Sequence, residues 1–83
     1  PNPFIYSIDI YFEIPEPGNV TFKIFNVIGQ EIASEKIGEA TPGRKNITWD
    51  GRNNKGEPIS SGIYFYSIEL NGKRTTGKIT VIR

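Results

Sequence analysis

The 83-residue chain contains no cysteine, no histidine and no methionine. Without cysteine there is no disulfide to staple a small core and no thiolate to hold a metal or act as a nucleophile. Without histidine, Ser60 and Ser61 lack the usual general base, so a Ser-His-Asp arrangement cannot be assembled. No apolar run approaches the roughly 18 residues of a membrane-spanning helix, and no charged stretch followed by an apolar one opens the chain as a leader would. Charge of one sign is also missing: ten basic against nine acidic side chains give a net charge of +1. The basic residues are scattered, which leaves no electrostatic footprint for nucleic acid or anionic lipid. Glu13, Glu16, Glu31, Glu35 and Glu39 are dispersed, so no catalytic carboxylate pair can be named. "GEATPG" and "SSG" open no helix that could receive a phosphate. Enzymatic activity, a bound cofactor and a metal are therefore not expected.

What the chain does have is alternation. In "IDIYFEI", residues 8–14, Ile8, Ile10, Phe12 and Ile14 share one face of a strand, and Asp9, Tyr11 and Glu13 the other. "VTFKIFN" repeats the scheme with Val20, Phe22 and Ile24 inward and Phe25 outward. Between them "PEPG" holds residues that fix or release φ, and a first antiparallel hairpin is expected there. A turn at Gly29 leads into a weaker strand, "EIASEKI". Pro42-Gly43 turns into another that points Ile47 and Trp49 the same way. "GIYFYSIEL" and "KRTTGKITVIR" flank Asn71-Gly72, the dipeptide of two-residue type I′ hairpins, whose central residues both need positive φ. Apolar residues never recur at helical spacing for more than a turn. Six to seven short strands with turn signals every 8 to 12 residues predict an all-β, immunoglobulin-like antiparallel β-sandwich occupying residues 1–83 as a single domain. Folding such a short chain buries roughly 63% of its extended surface, near the lower limit for an independent core. The abrupt start "PNPF" suggests a module of a larger protein.

The glycine-rich stretch "WDGRNNKGEPISSGIYFY", residues 49–66, could be a ligand loop. Read as a calcium loop from Asp50, it puts Arg52 at the third position and Lys55 at the sixth, where oxygen and glycine are required. Asp50 is instead expected to form a turn by accepting backbone N–H bonds, with Gly51 and Gly56 at positive φ. Trp49 is expected in the core with its indole N–H satisfied. Asn19-Val20-Thr21 and Asn46-Ile47-Thr48 match the glycosylation acceptor pattern.

In order along the chain, "NPF" at 2–4, "IPEPGNVTFKIFNVIGQEI" at 14–32, "PG" at 42–43, "WDG" at 49–51, "SSGIYFY" at 60–66 and the ending "GKITVIR" resemble the C-terminal sorting domain of the type IX (Por) secretion system. A closely related immunoglobulin-like domain, similar at the central motifs, occurs in the flagellar hook-capping protein. Ile28 stands where the family's turn usually has Leu, and Ile5 to Ile8 replace a more polar stretch. The resemblance implies a non-catalytic address on a secreted enzyme or adhesin of Bacteroidetes-like bacteria, routed through the periplasm and across the outer membrane to the cell surface or medium. Its implied partners are the fused upstream cargo, the outer-membrane translocon and a surface processing protease. Trp49, Asp50, Gly51, Gly62, Tyr64 and Tyr66 then read as the structural brace.

The final hairpin is where translocon recognition is expected, at Lys78, Ile79, Thr80, Val81, Ile82 and Arg83. A last strand at a sheet edge offers unpaired N–H and C=O groups to another chain. Lys73, Arg74, Lys78 and Arg83 also serve as ordinary guards against aggregation. A different use rests on Tyr6, Tyr11, Phe25 and Phe65, placed on the faces opposite the core. They would stack sugar rings in a carbohydrate-binding module of a secreted hydrolase, or else cover one another across strands. A structural spacer or hook-cap-like assembly domain is the third reading.

Overall fold

The computed structural model of the chain describes residues 7–82. They form six strands: β1 (Ile8–Ile14), β2 (Gly18–Phe25), β3 (Glu31–Ala40), β4 (Gly43–Trp49), β5 (Gly62–Leu70) and β6 (Lys73–Val81). A two-stranded sheet, β1-β4, faces a four-stranded one, β3-β2-β5-β6, and every pairing is antiparallel. This is the expected all-β sandwich, with six strands among the described residues. Tyr6 and Arg83 lie outside the described residues, as does "NPF".

Alternation decides which side chains fill the space between the layers. Ile10 and Ile14 of β1, Val20, Phe22 and Ile24 of β2, Ile47 and Trp49 of β4, Tyr64 and Ile68 of β5, and Ile79 and Val81 of β6 are all buried in one cluster. Burying each large member contributes roughly 1.5–3 kcal/mol. Ile8 and Phe12 complete the β1 face and are half-buried against the same cluster.

The "PEPG" turn is not the expected hairpin. β1 pairs with β4 and β2 pairs with β3 and β5, so residues 15–17 carry the chain from one layer to the other. The reason is that both strands present a full apolar face. A hairpin would set these faces side by side, whereas the crossover lays one on the other and buries both. Pro15 and Pro17 have no N–H to give to a ladder, which suits a corner. The Asn71 side-chain amide holds this corner to the far hairpin, donating to Glu16 Oε2 and to the Pro17 carbonyl, each at 3.1 Å. Asn71 and Gly72 have φ of +51° and +81°, the positive values that a type I′ turn requires.

The remaining turns follow the sequence more closely. β2 and β3 form a hairpin through the Asn26–Gln30 turn, and β5 and β6 pair along their full length from Gly62↔Val81 to Leu70↔Lys73. In β6 the residue opposite Tyr66 is Gly77, and the Tyr66 ring occupies the volume a Cβ at residue 77 would need. That ring also packs on Phe22, with centroids 6.4 Å apart, so it closes the core over the glycine. Gly77→Ala is expected to lower stability by about 1–3 kcal/mol through overpacking. Urea unfolding followed by Trp49 fluorescence measures this; an unchanged midpoint would show that the ring is not seated there.

Candidate functional site: the crossover loop and the last strand

The segment between β4 and β5 returns the chain from the small sheet to the large one, and its polar groups are occupied internally. Trp49 is buried, and its indole Nε1–H donates to the Arg52 carbonyl at 3.2 Å. Asp50 Oδ1 accepts from the Arg52 N–H at 3.2 Å, and Gly51 and Gly56 have φ of +74° and +82°. These are the roles expected of Trp49, Asp50 and both glycines. Arg52 reaches back with its guanidinium to the Gly56 carbonyl at 2.8 Å, so the cation that spoils a calcium loop closes the turn instead.

Inside this loop lies a duplicated turn. At Asn53, the backbone N–H donates to the Glu57 carbonyl (2.9 Å) and the carbonyl accepts from Gly56 (2.9 Å). Its Oδ1 accepts from the Lys55 and Glu57 N–H groups (2.9 and 3.0 Å), and its Nδ2 donates to Glu57 Oε1 (3.0 Å). Asn26 makes the same five bonds to Ile28, Gly29 and Gln30, at 2.8–3.1 Å. The shared pattern, Asn-x-x-Gly followed by Gln or Glu, is visible at 26–30 and 53–57 and is the signal by which sequence reading could have found it. The two turns flank one open groove of about 510 Å³, which also meets Ile32, Ile59 and Tyr64.

The second turn does something that sequence reasoning missed. Asn54 donates its backbone N–H to the Ile32 carbonyl (3.2 Å), and its Oδ1 accepts the Ser34 N–H (2.9 Å). β3 is an edge strand, and the loop thereby occupies part of the edge that another chain could otherwise extend. Tyr64 secures the other end of the loop. It is buried at the start of β5, and its hydroxyl donates to the Ser60 carbonyl at 2.8 Å, a corner bond typical of immunoglobulin-like sandwiches. Gly62 opens the same strand, and Tyr66 covers Gly77 from it, so the six brace residues lie at the end of β4, in this connection and in the strand that follows.

β6 is left differently. It pairs with β5 alone, so its other side is a free edge among the described residues. Ile79 and Val81 point into the core, while Arg74, Lys78 and Thr80 are exposed and Ile82, beyond the strand, is 75% exposed. The expected recognition segment therefore divides: alternate residues hold the fold, and Lys78, Thr80 and Ile82 are presented. The outward aromatics divide as well. Phe25 and Phe65 are directly opposed on neighbouring strands, whereas Tyr11 stands on the outer face of the other sheet beneath the Arg44 guanidinium, 5.8 Å from its centroid. They lie on opposite outer faces of the sandwich and form no common stacking platform. Among the described residues no three acidic side chains converge as a metal site.

An immunoglobulin-like module with a braced crossover loop and an open β6 edge is the class these features define. More particularly, the chain belongs to the FlgD Ig-like domain family, whose model matches residues 7–75. Among solved structures it is similar to FlgD from P. aeruginosa, with a TM-score of 0.74, 19% identity, 89% of this chain and 58% of that one covered. It is also similar to FlgD from Xanthomonas campestris, described for hook capping essential for flagellar assembly, with a TM-score of 0.71, 18% identity, and 90% and 55% covered. The chain thus spans little more than half of either structure, and at these identities the likeness is one of fold. No curated protein matches the chain.

Asn54→Ala is expected to cost about 0.5–1.5 kcal/mol and to speed hydrogen exchange at the Ser34 amide relative to its neighbours in β3. Equal protection of Ser34 in both proteins would remove the loop from its role at that edge.

Proposed function

We propose that the chain is a non-catalytic sorting module that directs an attached cargo across the outer membrane, and that the export apparatus reads it through β6. The observation that carries this reading is the unpaired edge of β6. A partner strand can add there by main-chain hydrogen bonds, while Arg74, Lys78 and Thr80 supply side-chain identity. The ordered series of motifs that resembles type IX sorting domains supports the same reading. On this proposal the partners are the translocon and a surface protease, and the cargo reaches the surface or medium through the periplasm. A brace without chemistry suits the role, since an address must stay folded and present one edge.

The FlgD structures favour a second reading, in which the domain is an assembly module of a hook-cap-like protein. The two readings differ in what the β6 edge must engage: a secretion channel in the first, other subunits of a cap in the second.

Removing residues 78–83 would be a poor test, because Ile79 and Val81 are core residues and the truncated domain would lose packing as well as address. Lys78→Glu with Thr80→Glu changes two exposed β6 side chains and leaves the core intact. In a type IX-competent host, a reporter fused to the native chain is expected in the medium or on the surface, and the double variant to retain at least about 90% of it inside, corresponding to a change of at least ~1.4 kcal/mol in recognition. Undiminished export of a folded double variant would defeat the sorting proposal. Restored motility in a hook-cap-deficient strain carrying this domain in a chimaeric cap protein would favour the second reading.

A further inference from the structure

The two sheets end unevenly on one flank. β1 of the small sheet and β6 of the large one each have a single neighbour, and both free edges border the same opening. Two adjoining grooves of about 420 and 380 Å³ lie between them, with Tyr66 lining both. The start of β1, at Ile8 and Asp9, meets Lys78 and Ile79 near the end of β6. Its end, at Glu13 and Ile14, meets Lys73 and Thr75 near the start of β6. The two edges therefore run antiparallel at matched heights, across a cleft that neither closes.

Their exposed faces carry opposite charges at the same spacing. Asp9 and Glu13 stand four residues apart on β1, and Arg74 and Lys78 four apart on β6, with Tyr11 and Thr76 between them. None of these four is in an ion pair within 4.0 Å; among the described residues the one such pair joins Lys23 and Glu31, while Asp9 Oδ1 accepts from the Thr48 hydroxyl at 2.6 Å and keeps its charge. We infer that this flank is an interface for a second copy of the chain. A two-fold axis parallel to the strands keeps every strand's direction and height while exchanging the two layers. It sets the second copy's β6 beside β1, antiparallel, and its β1 beside β6. Asp9 then faces Lys78, Tyr11 faces Thr76 and Glu13 faces Arg74, all on the outer surface. The small sheet of each copy runs on into the large sheet of the other, and both open edges and both clefts are closed by one isologous contact.

The charge pattern selects this occupant. The six residues ahead of Ser7, PNPFIY, carry no charge to set against Asp9 and Glu13, and two of them are prolines that cannot donate to an edge. The inference concerns the purified chain and does not depend on the sorting role.

Sedimentation equilibrium of the full chain from micromolar to about 1 mM, at low and high salt, tests it. A dimer is expected that weakens as salt screens the charge pairs. Its β1 and β6 amides should gain hydrogen-exchange protection with concentration. Asp9→Lys with Glu13→Lys, and separately Arg74→Glu with Lys78→Glu, should each weaken association at least about tenfold. Combining all four substitutions should restore it. Far-UV circular dichroism and Trp49 emission establish that each variant is folded. The inference is overturned by a chain that stays monomeric at about 1 mM. A dimer indifferent to both charge reversals, or folded reversals whose combination fails to recover association, would overturn it equally.

Discussion

Everything in this domain depends on pressing the apolar face of β1 against that of β2. Ile10 and Ile14 on one side and Val20, Phe22 and Ile24 on the other are successive in the chain yet belong to different layers. The proline-rich corner at 15–17 makes that possible, and the far hairpin holds it through Asn71. Once these layers meet, the places of the other strands follow. β4 has only β1 to pair with, and β5 and β6 extend the sheet that β2 begins, carrying Ile68, Ile79 and Val81 over the same core. Because a small domain has little core to spare, Trp49 is drawn into it from β4 and tethered by its own loop.

A sandwich built this way has open edges, and the chain treats them unequally. On β3 the loop after β4 lays Asn54 along the backbone and covers part of the edge. On β6 nothing among the described residues plays that part; the edge carries basic side chains instead. Among the described residues this leaves β6 as the fully open edge of the large sheet, while β1 and β4 are the open edges of the small one. The brace around Trp49, Tyr64 and Tyr66 fixes the body, and the β6 edge remains unpaired among the described residues.

The duplicated turn shows how one local solution serves two ends. At Asn26 the turn closes a hairpin and exposes Val27 and Ile28; at Asn53 it sits within a crossover and lends Asn54 to a neighbouring strand. The bonds are identical because they are made within five residues. Their consequences differ because the surroundings do.

Much of this was legible before the structure. Alternation in "IDIYFEI" and "VTFKIFN" is a period-two signal that depends only on the pleat, so the inward residues of both strands were identified correctly, as were Trp49 in the core and the positive φ of Asn71-Gly72. The turn at Asp50 was legible too, because Asp50 and Gly51 act on backbone groups beside them. What sequence alone could not decide was partnership. A turn such as "PEPG" fixes where the chain bends, but whether its strands pair or stack depends on which apolar faces must meet. For the same reason Asn54 at the β3 edge was invisible: it meets Ser34 only where the sheet order brings the loop and that strand together. Local hydrogen bonding and alternation are written in short stretches of chain; sheet order and free edges are set by the competition of all the strands for one small core.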